Sequence, residues 1–345
     1  MKSPEFRVVG KASEEEKIKI KEKLKQKLIN NLESLTDEEK EIFYAYEKEK
    51  TEEEMECVDF ANKETDRLME EAGVEPYDIP AENYHILGKG ASYGELLLSD
   101  PSFYALTYYP KQEMIFRESA ASTPLAFGAL ALHETLHLKA HYALIKNNNS
   151  YEQYYRAGVD IFPQKQDVNN PPYSYFTWLH ESIVSKQVTR SLPFLLNIPA
   201  LKKEKEWLES DKAKILRKAA AEAAKISESE ILLIGKDKKF FRDQYRFKYH
   251  PYRDERKILD YVLEEIQKGF PDKYKDADEV FKEFLKAHFS GRIVTIANLV
   301  EKTFGKGSFR FLGSMEKYQE DAPIKQFAPE FISILATMRS ENIEE

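Results

Sequence analysis

The sequence predicts an α+β protein that is predominantly helical, with a small antiparallel sheet ahead of one central helix. Charged helical patterns with clear start signals occupy the first 75 residues, and helical patterns return after residue 196. Between them lie short segments rich in Tyr, Phe, Ile and Leu, which favour strands. The chain is therefore expected to divide into an N-terminal helical region (1–75), a middle region (76–195) and a C-terminal helical region (196–345).

The composition of this 345-residue chain limits the class of protein. Hydrophobic residues make up 42%, enough to build a large core. The 60 acidic residues outnumber the 52 basic ones, which does not favour a nucleic-acid partner. No apolar run approaches the roughly 18 residues that span a bilayer, and no signal-peptide core follows Met1. Cys57 is the sole cysteine, which excludes a Cys-based zinc cluster. We expect a cytoplasmic globular protein without nucleic-acid or membrane partners.

Three helices are predicted in the N-terminal region. From Glu14 to Glu33, Ile and Leu recur among Lys and Glu in an amphipathic pattern. Thr36 and Thr51 each precede acidic residues as in a capping box, so each is expected to open a further helix. Gly73 and Pro76 end the third. We interpret these helices as a solvated collar or, alternatively, as a lid or an arm that binds a protein partner.

The middle region alternates strand and helix signals. Residues 83–87 are typical of a short strand, and residues 102–109 and 113–117 flank a Pro-Lys-Gln turn as in a β-hairpin. A Thr-Pro pair then opens a helix that is predicted over residues 123–146. A polar loop follows, and the next helix is predicted over residues 175–190. The C-terminal region is predicted to be mostly helical.

The motif His133-Glu134-Thr135-Leu136-His137 lies inside the first of these helices. In a chain with 7 His and 60 acidic residues, chance gives about 0.025 such matches. Residues four apart share one face of a helix, so His133 and His137 can bind one metal ion. Glu134 lies about 100° further round the helix, where it can act as a general base beside the ion. The sequence therefore predicts one Zn²⁺ per chain.

Catalytic zinc usually has three protein ligands and one open position, and the third ligand has several candidates here. His141 lies about 12 Å beyond His133 on the same predicted helix, so we expect it in the core or behind the ligands. His180 and Glu181, on the next helix, are the better alternatives. His180 lies near the middle of the apolar face of that helix, as packed histidines do, and Glu181 lies about 100° away.

A histidine motif followed by a glutamate on a downstream helix resembles the gluzincins, the thermolysin-like zinc peptidases, over about residues 80–190. The resemblance implies a zincin-like catalytic domain with Glu181 as third ligand. It implies that the small residues Ser182 and Ser185 let the two helices approach, and that the hairpin contains the edge strand that pairs with a peptide substrate. The spacing is longer than in thermolysin, and no Asn precedes Glu181.

Peptide hydrolysis also needs a donor for the developing oxyanion. The resemblance implies a Tyr or His from a later segment, and the cluster of Tyr249, His250 and Tyr252 supplies candidates in the C-terminal region, which would complete the active-site cleft. His85 and His288 are isolated in the sequence and are interpreted as structural or exposed.

The predicted function is a zinc-dependent hydrolase, a metallopeptidase that acts on a peptide or protein with Glu134 as general base. A zinc hydrolase with a different substrate is one alternative. The other is a non-catalytic helical binding protein in which the same residues hold a structural or vestigial metal. A structural site would be closed by a fourth ligand, such as His141 or His180.

Overall fold

The computed structural model describes residues 6–10, 13–29, 36–88, 104–109, 112–146, 152–162, 174–236, 245–315 and 327–344. The helices in these ranges are α1 (Glu14–Ile29), α2 (Asp37–Tyr46), α3 (Glu52–Glu71), α4 (Pro124–Leu138), α5 (Thr177–Leu195), α6 (Lys202–Glu209), α7 (Asp211–Ala224), α8 (Arg253–Gly269), α9 (Ala277–Ser290), α10 (Ile293–Phe304), α11 (Ser308–Gly313) and α12 (Phe327–Glu344). The strands are β1 (Arg7–Gly10), β2 (Tyr84–Leu87), β3 (Ala105–Tyr108), β4 (Glu113–Arg117), β5 (Tyr142–Lys146), β6 (Glu152–Ala157), β7 (Asp160–Ile161), β8 (Ile231–Lys236) and β9 (Tyr245–Tyr249). The predicted α+β, predominantly helical class is confirmed.

The N-terminal helices begin where the sequence places them. α3 opens on the predicted capping box, because Thr51 Oγ1 accepts a hydrogen bond from the Glu54 backbone N–H and the Glu54 carboxylate accepts one from the Thr51 backbone N–H. α2 follows Thr36 directly. α1 ends at Ile29, and residues 30–33 of the first predicted helix lie outside the described residues.

The predicted hairpin is present as β3 and β4, which pair antiparallel. The prolyl and lysyl residues of its turn, 110 and 111, lie outside the described residues. β2 joins the other side of β4 and runs parallel to it, so the sheet, in the order β2-β4-β3, is mixed. The apolar pattern of a strand fixes which face is buried but not the direction of its neighbours, which is why the parallel pair was not predicted.

The predicted helix over residues 123–146 is wrong in its last third. α4 ends at Leu138, and β5 begins four residues later. β5 pairs with β1 on one edge and β6 on the other, in the order β1-β5-β6-β7. Tyr142 and Leu144 pack with Phe6 and Val8 in a small core of their own. These long-range contacts outweigh the helix propensity of the local sequence.

α4 lies at the centre of the molecule, and 13 of its 15 residues are buried. A helix that is apolar all round is packed on every side. At Gly128, a Cβ would lie 3.0 Å from Cys57 Sγ on α3 and 3.1 Å from Leu195 Cδ1 on α5, so both neighbours approach α4 closely. The main core is continuous from Leu28 to Leu335 and draws on all three predicted regions.

The C-terminal region places a loop against the centre of the molecule. α8 packs on α5, which packs on α4. The hairpin β8–β9 leads directly into α8, whose predicted start near Tyr252 is confirmed. In the ranges that the structure describes, no helix combines the length and apolarity needed to cross a bilayer.

Candidate metal centre

Three side chains from α4 and α5 converge on one point. His133 and His137 lie one turn apart on α4, and Glu181 lies in the second turn of α5. Glu181 Oε2 lies 3.3 Å from Nε2 of each histidine, and the two Nε2 atoms are 3.1 Å apart. Of the two alternatives on the second helix, the structure therefore brings Glu181 to the motif.

The spacing of these three atoms fits a small divalent cation. Tetrahedral coordination with bonds of about 2.0–2.1 Å places ligand atoms about 3.3–3.4 Å apart. Glu181 Oε2 is buried and makes no well-directed hydrogen bond within the described residues. Three lone-pair donors that face one another in a buried site need a cation or protons between them. Imidazole and carboxylate are ordinary zinc ligands, so Zn²⁺ would satisfy all three.

The electrostatics of the triad also favour a cation. Burial would raise the pKa of Glu181, but the imidazoles of His137 and His133 lower it well below its usual range. Burial would lower the pKa of His137, but the carboxylates of Glu181, Glu134 and Asp160 raise it. The site therefore favours an ionised Glu181, and the negative charge of these carboxylates would also attract a divalent ion.

His180 lies behind His137, away from the metal-facing nitrogens. Its Nε2 is 2.6 Å from His137 Nδ1, and its ring is 3% exposed. Burial lowers the pKa of His180 well below its usual range, so the ring is neutral and one nitrogen can accept a hydrogen bond. Metal-binding histidines usually donate their second N–H to such an acceptor, which fixes the orientation of the ring. His180, the alternative to Glu181 as third ligand, therefore lies where it can fix the orientation of the His137 ring.

Gly158, in the turn between β6 and β7, packs against this arrangement. A Cβ there would lie 2.7 Å from His180 Nδ1 and 2.8 Å from His288 Nδ1, and the φ of Gly158 is +56°.

We expect Gly158→Ala to destabilise the fold by about 2–4 kcal/mol, from the left-handed backbone and from overpacking together. Urea unfolding measures this loss. Gly73→Ala is the matched control, because Gly73 has a φ of +71° and nothing within 4 Å of its Cβ position. Its cost should be about 1 kcal/mol, and an equal cost at both positions would contradict the packing argument.

Glu134 is held beside the triad by the edge strand of the hairpin. Its side chain is buried, and Oε2 accepts a hydrogen bond of 2.7 Å from Thr107 Oγ1 on β3. Thr107 therefore limits the orientations open to the carboxylate. Sequence reasoning missed this residue, because a threonine in a short strand carries no local signal of its partner.

The structure places the three oxyanion candidates differently. Tyr252 stacks on His133, with ring centroids 6.0 Å apart and an interplanar angle of 8°, and its phenol lies in the field of the Glu181 and Glu134 carboxylates. Burial, followed by the charges of Glu181 and Glu134, raises the pKa of Tyr252, so the phenol keeps its proton. Tyr249 is 47% exposed on β9. His250 is buried, with Nδ1 3.4 Å from Thr189 Oγ1, and burial lowers its pKa to about 4.

A short network holds Tyr252 in place. Its backbone is left-handed, with a φ of +54°, which costs a non-glycine residue about 1–2 kcal/mol. The carbonyl of Pro251 accepts hydrogen bonds from Ser185 Oγ at 2.9 Å and from Arg256 Nε at 3.3 Å. Arg256 in turn forms an ion pair with Glu230. Ser185 lies one turn beyond Glu181, so the helix that carries Glu181 also anchors the loop of Tyr252.

The described residues offer no fourth ligand of the usual types. His133, His137 and Glu181 are the only set of three or more His, Cys, Asp or Glu that these residues gather within 4.8 Å. His141 lies between α4 and β5, where its backbone N–H donates to His288 O at 2.9 Å. Its ring packs against Gly291. This position agrees with the prediction that His141 is not a ligand. The reason differs, because the prediction assumed one continuous helix through His141, whereas α4 ends before it.

No protein-family model, curated protein or solved structure matches this chain. The gluzincin resemblance therefore depends on the motif residues alone.

Proposed function

We propose that this protein is a zinc-dependent hydrolase, a metallopeptidase in which His133, His137 and Glu181 hold one Zn²⁺. The observation that carries the proposal is a three-ligand set with a glutamate side chain and a phenol beside it. A structural zinc site has four protein ligands, whereas a catalytic one has three. The two histidines that could have closed a structural site contact other groups, since His180 hydrogen-bonds His137 and His141 packs against Gly291.

The residues around the triad divide the chemistry of amide hydrolysis among them. Zinc, when bound, supplies the Lewis acidity that makes hydroxide available at neutral pH. Glu134 takes the proton of the attacking water and returns it to the leaving amine. Thr107 holds the carboxylate in position for both transfers. The phenol of Tyr252 donates a hydrogen bond to the oxyanion that develops on the substrate.

The position of β3 favours a peptide as the substrate. Within the described residues β3 is an edge strand, paired only with β4. An extended peptide can pair with a free strand edge through its backbone. Because Thr107 on β3 hydrogen-bonds Glu134, a peptide on this edge would lie beside the general base. A cytoplasmic location, the absence of nucleic-acid or membrane partners and a protein partner for the N-terminal helices stay predictions from the sequence.

The direct test is cleavage of an unfolded polypeptide by the zinc-loaded protein, with a chelator-treated sample alongside. The proposal expects cleavage that the chelator stops and added zinc restores. Cleavage of small amides without cleavage of polypeptides would replace the peptidase by another zinc hydrolase. A zinc-loaded protein that is inert on both would favour a non-catalytic site.

Replacing Tyr252 with Phe tests the oxyanion donor. The ring that stacks on His133 stays, and only the hydroxyl is lost, so zinc content should not change. We expect kcat to fall about 100-fold, as for other single oxyanion donors, with little change in KM. Tyr249→Phe, on the preceding strand, is the matched control and should leave kcat unchanged. An equal effect of both substitutions would show that Tyr252 has no special role.

A further inference from the structure

A row of three buried imidazoles leads from the triad into the C-terminal region. His137 Nδ1 lies 2.6 Å from His180 Nε2. The ring of His180 lies 5.0 Å from that of His288 on α9, centroid to centroid, at an angle of 35°. His288 Nε2 lies 3.0 Å from the carbonyl oxygen of Leu136. The row therefore begins at His137 of α4 and ends at the adjacent residue, Leu136. His288 closes it although it is 152 positions from Leu136 in the chain.

The two ends of the row determine which nitrogen carries the hydrogen in each ring. A carbonyl oxygen can only accept, so His288 carries its hydrogen on Nε2 and has a lone pair on Nδ1. A metal at His137 Nε2 needs the lone pair there, so His137 carries its hydrogen on Nδ1 and donates it to His180 Nε2. His180 then carries its own hydrogen on Nδ1. The tautomers thus follow from the partners at either end.

The remaining two nitrogens are complementary. His180 Nδ1 and His288 Nδ1 are both buried, and neither has a hydrogen-bond partner among the described residues. Both border the same spot, because they lie 2.7 and 2.8 Å from the Cβ position of Gly158. One of these atoms carries a hydrogen and the other a lone pair. A hydrogen bond between them, through one water or after a small rotation of either ring, would satisfy both, as buried polar groups require.

We propose that His288 is a positioning residue for the metal site. Its Nδ1 accepts the hydrogen of His180, which keeps His180 Nε2 available to accept from His137, and His137 is thereby held in the tautomer that binds metal through Nε2. The inference rests on the proposed function, since it concerns the same metal. On this proposal, His288 of α9 contributes part of the zinc affinity, although in the sequence it is only an isolated histidine.

Two substitutions at His288 separate this role from packing. Asn places its Oδ1 near the Nδ1 position, so it keeps the acceptor for His180 and loses the bond to Leu136. Gln places its amide N–H near the Nε2 position, so it keeps the bond to Leu136 and loses the acceptor. We expect zinc affinity, measured by competition with a chromophoric chelator, to fall about 10-fold in His288→Gln and to stay near wild type in His288→Asn. The reverse order, or equal effects, would overturn the proposal.

Selective ¹⁵N labelling of the seven histidines gives a second measurement that needs no variant. Long-range ¹H–¹⁵N correlation spectra of the zinc-loaded protein should show His137 and His180 with hydrogen on Nδ1 and His288 with hydrogen on Nε2. His180 with hydrogen on Nε2 would overturn the proposal even if both variants failed to fold. A wild-type protein that takes up no zinc would contradict the proposed function as well, whereas zinc binding that is insensitive to His288→Gln contradicts this inference alone.

Discussion

Replacing Glu134 with Gln is expected to reduce kcat about 10⁴-fold while the protein keeps its zinc. Glutamine has the same shape and can still accept the hydrogen bond of Thr107, but it cannot take a proton from water or return one to the leaving amine. Both proton transfers are lost, which places the effect at the upper end for general acid–base catalysis. The measurements are the cleavage rate of an unfolded polypeptide and the metal content by mass spectrometry, on the same purified sample.

Thr107→Val is the matched control for this substitution. It removes the hydroxyl that holds Glu134 Oε2 but leaves the carboxylate, so the base is present and less well oriented. We expect a loss of about 10-fold in kcat, much smaller than that of Glu134→Gln, with zinc content unchanged in both. If the Gln variant cleaves at the wild-type rate, Glu134 is not the general base. That result would also contradict the proposed peptidase mechanism.

The parts of the site that follow from helix geometry could be predicted from the sequence. His133 and His137 share a face of α4 because they are four residues apart, and Glu134 beside them is buried against β3. The choice between His180 and Glu181 could not be made in this way. A helical wheel gives the angle between two side chains but not the element that each one meets. The packing of α5 on α4 turns Glu181 towards the triad and leaves His180 behind it.

The residues that contact the site from outside α4 and α5 could not be predicted from the sequence, for a related reason. Thr107 lies on a strand, and His288 lies on a helix more than a hundred residues further on, and neither has a sequence neighbour that marks its role. Long-range contacts also explain why α4 ends earlier than the sequence predicted. β5 exists because β1 and β6 pair with it, and those contacts span residues that no local window includes. The fold class, which depends on local periodicity, was predicted correctly, whereas long-range pairing was not.

Replacing Glu181 with Ala is expected to remove the metal. Wild-type protein, purified without a histidine tag and supplied with zinc at neutral pH, should contain close to one zinc per chain. Two imidazoles without the carboxylate leave an incomplete ligand set, so the affinity should fall by more than about 100-fold, which exceeds the usual effect of removing a partner behind a ligand. Metal content by mass spectrometry measures this directly. Glu265→Ala, which removes a buried carboxylate of α8 that pairs with Lys268, is the control and should keep its zinc.

Thermal unfolding distinguishes a lost ligand from a damaged fold. A ligand that binds only the folded state at about 1,000 times its Kd stabilises that state by about 4 kcal/mol, so a chelator should lower the Tm of wild type and of Glu265→Ala. The Tm of Glu181→Ala should not respond to the chelator, because that variant has no zinc to lose. If the Glu181→Ala protein keeps its zinc, the third zinc ligand must be a group other than Glu181. A wild type that takes up no metal would leave the non-catalytic helical binding protein as the better account, since the triad would then be held together by protons alone.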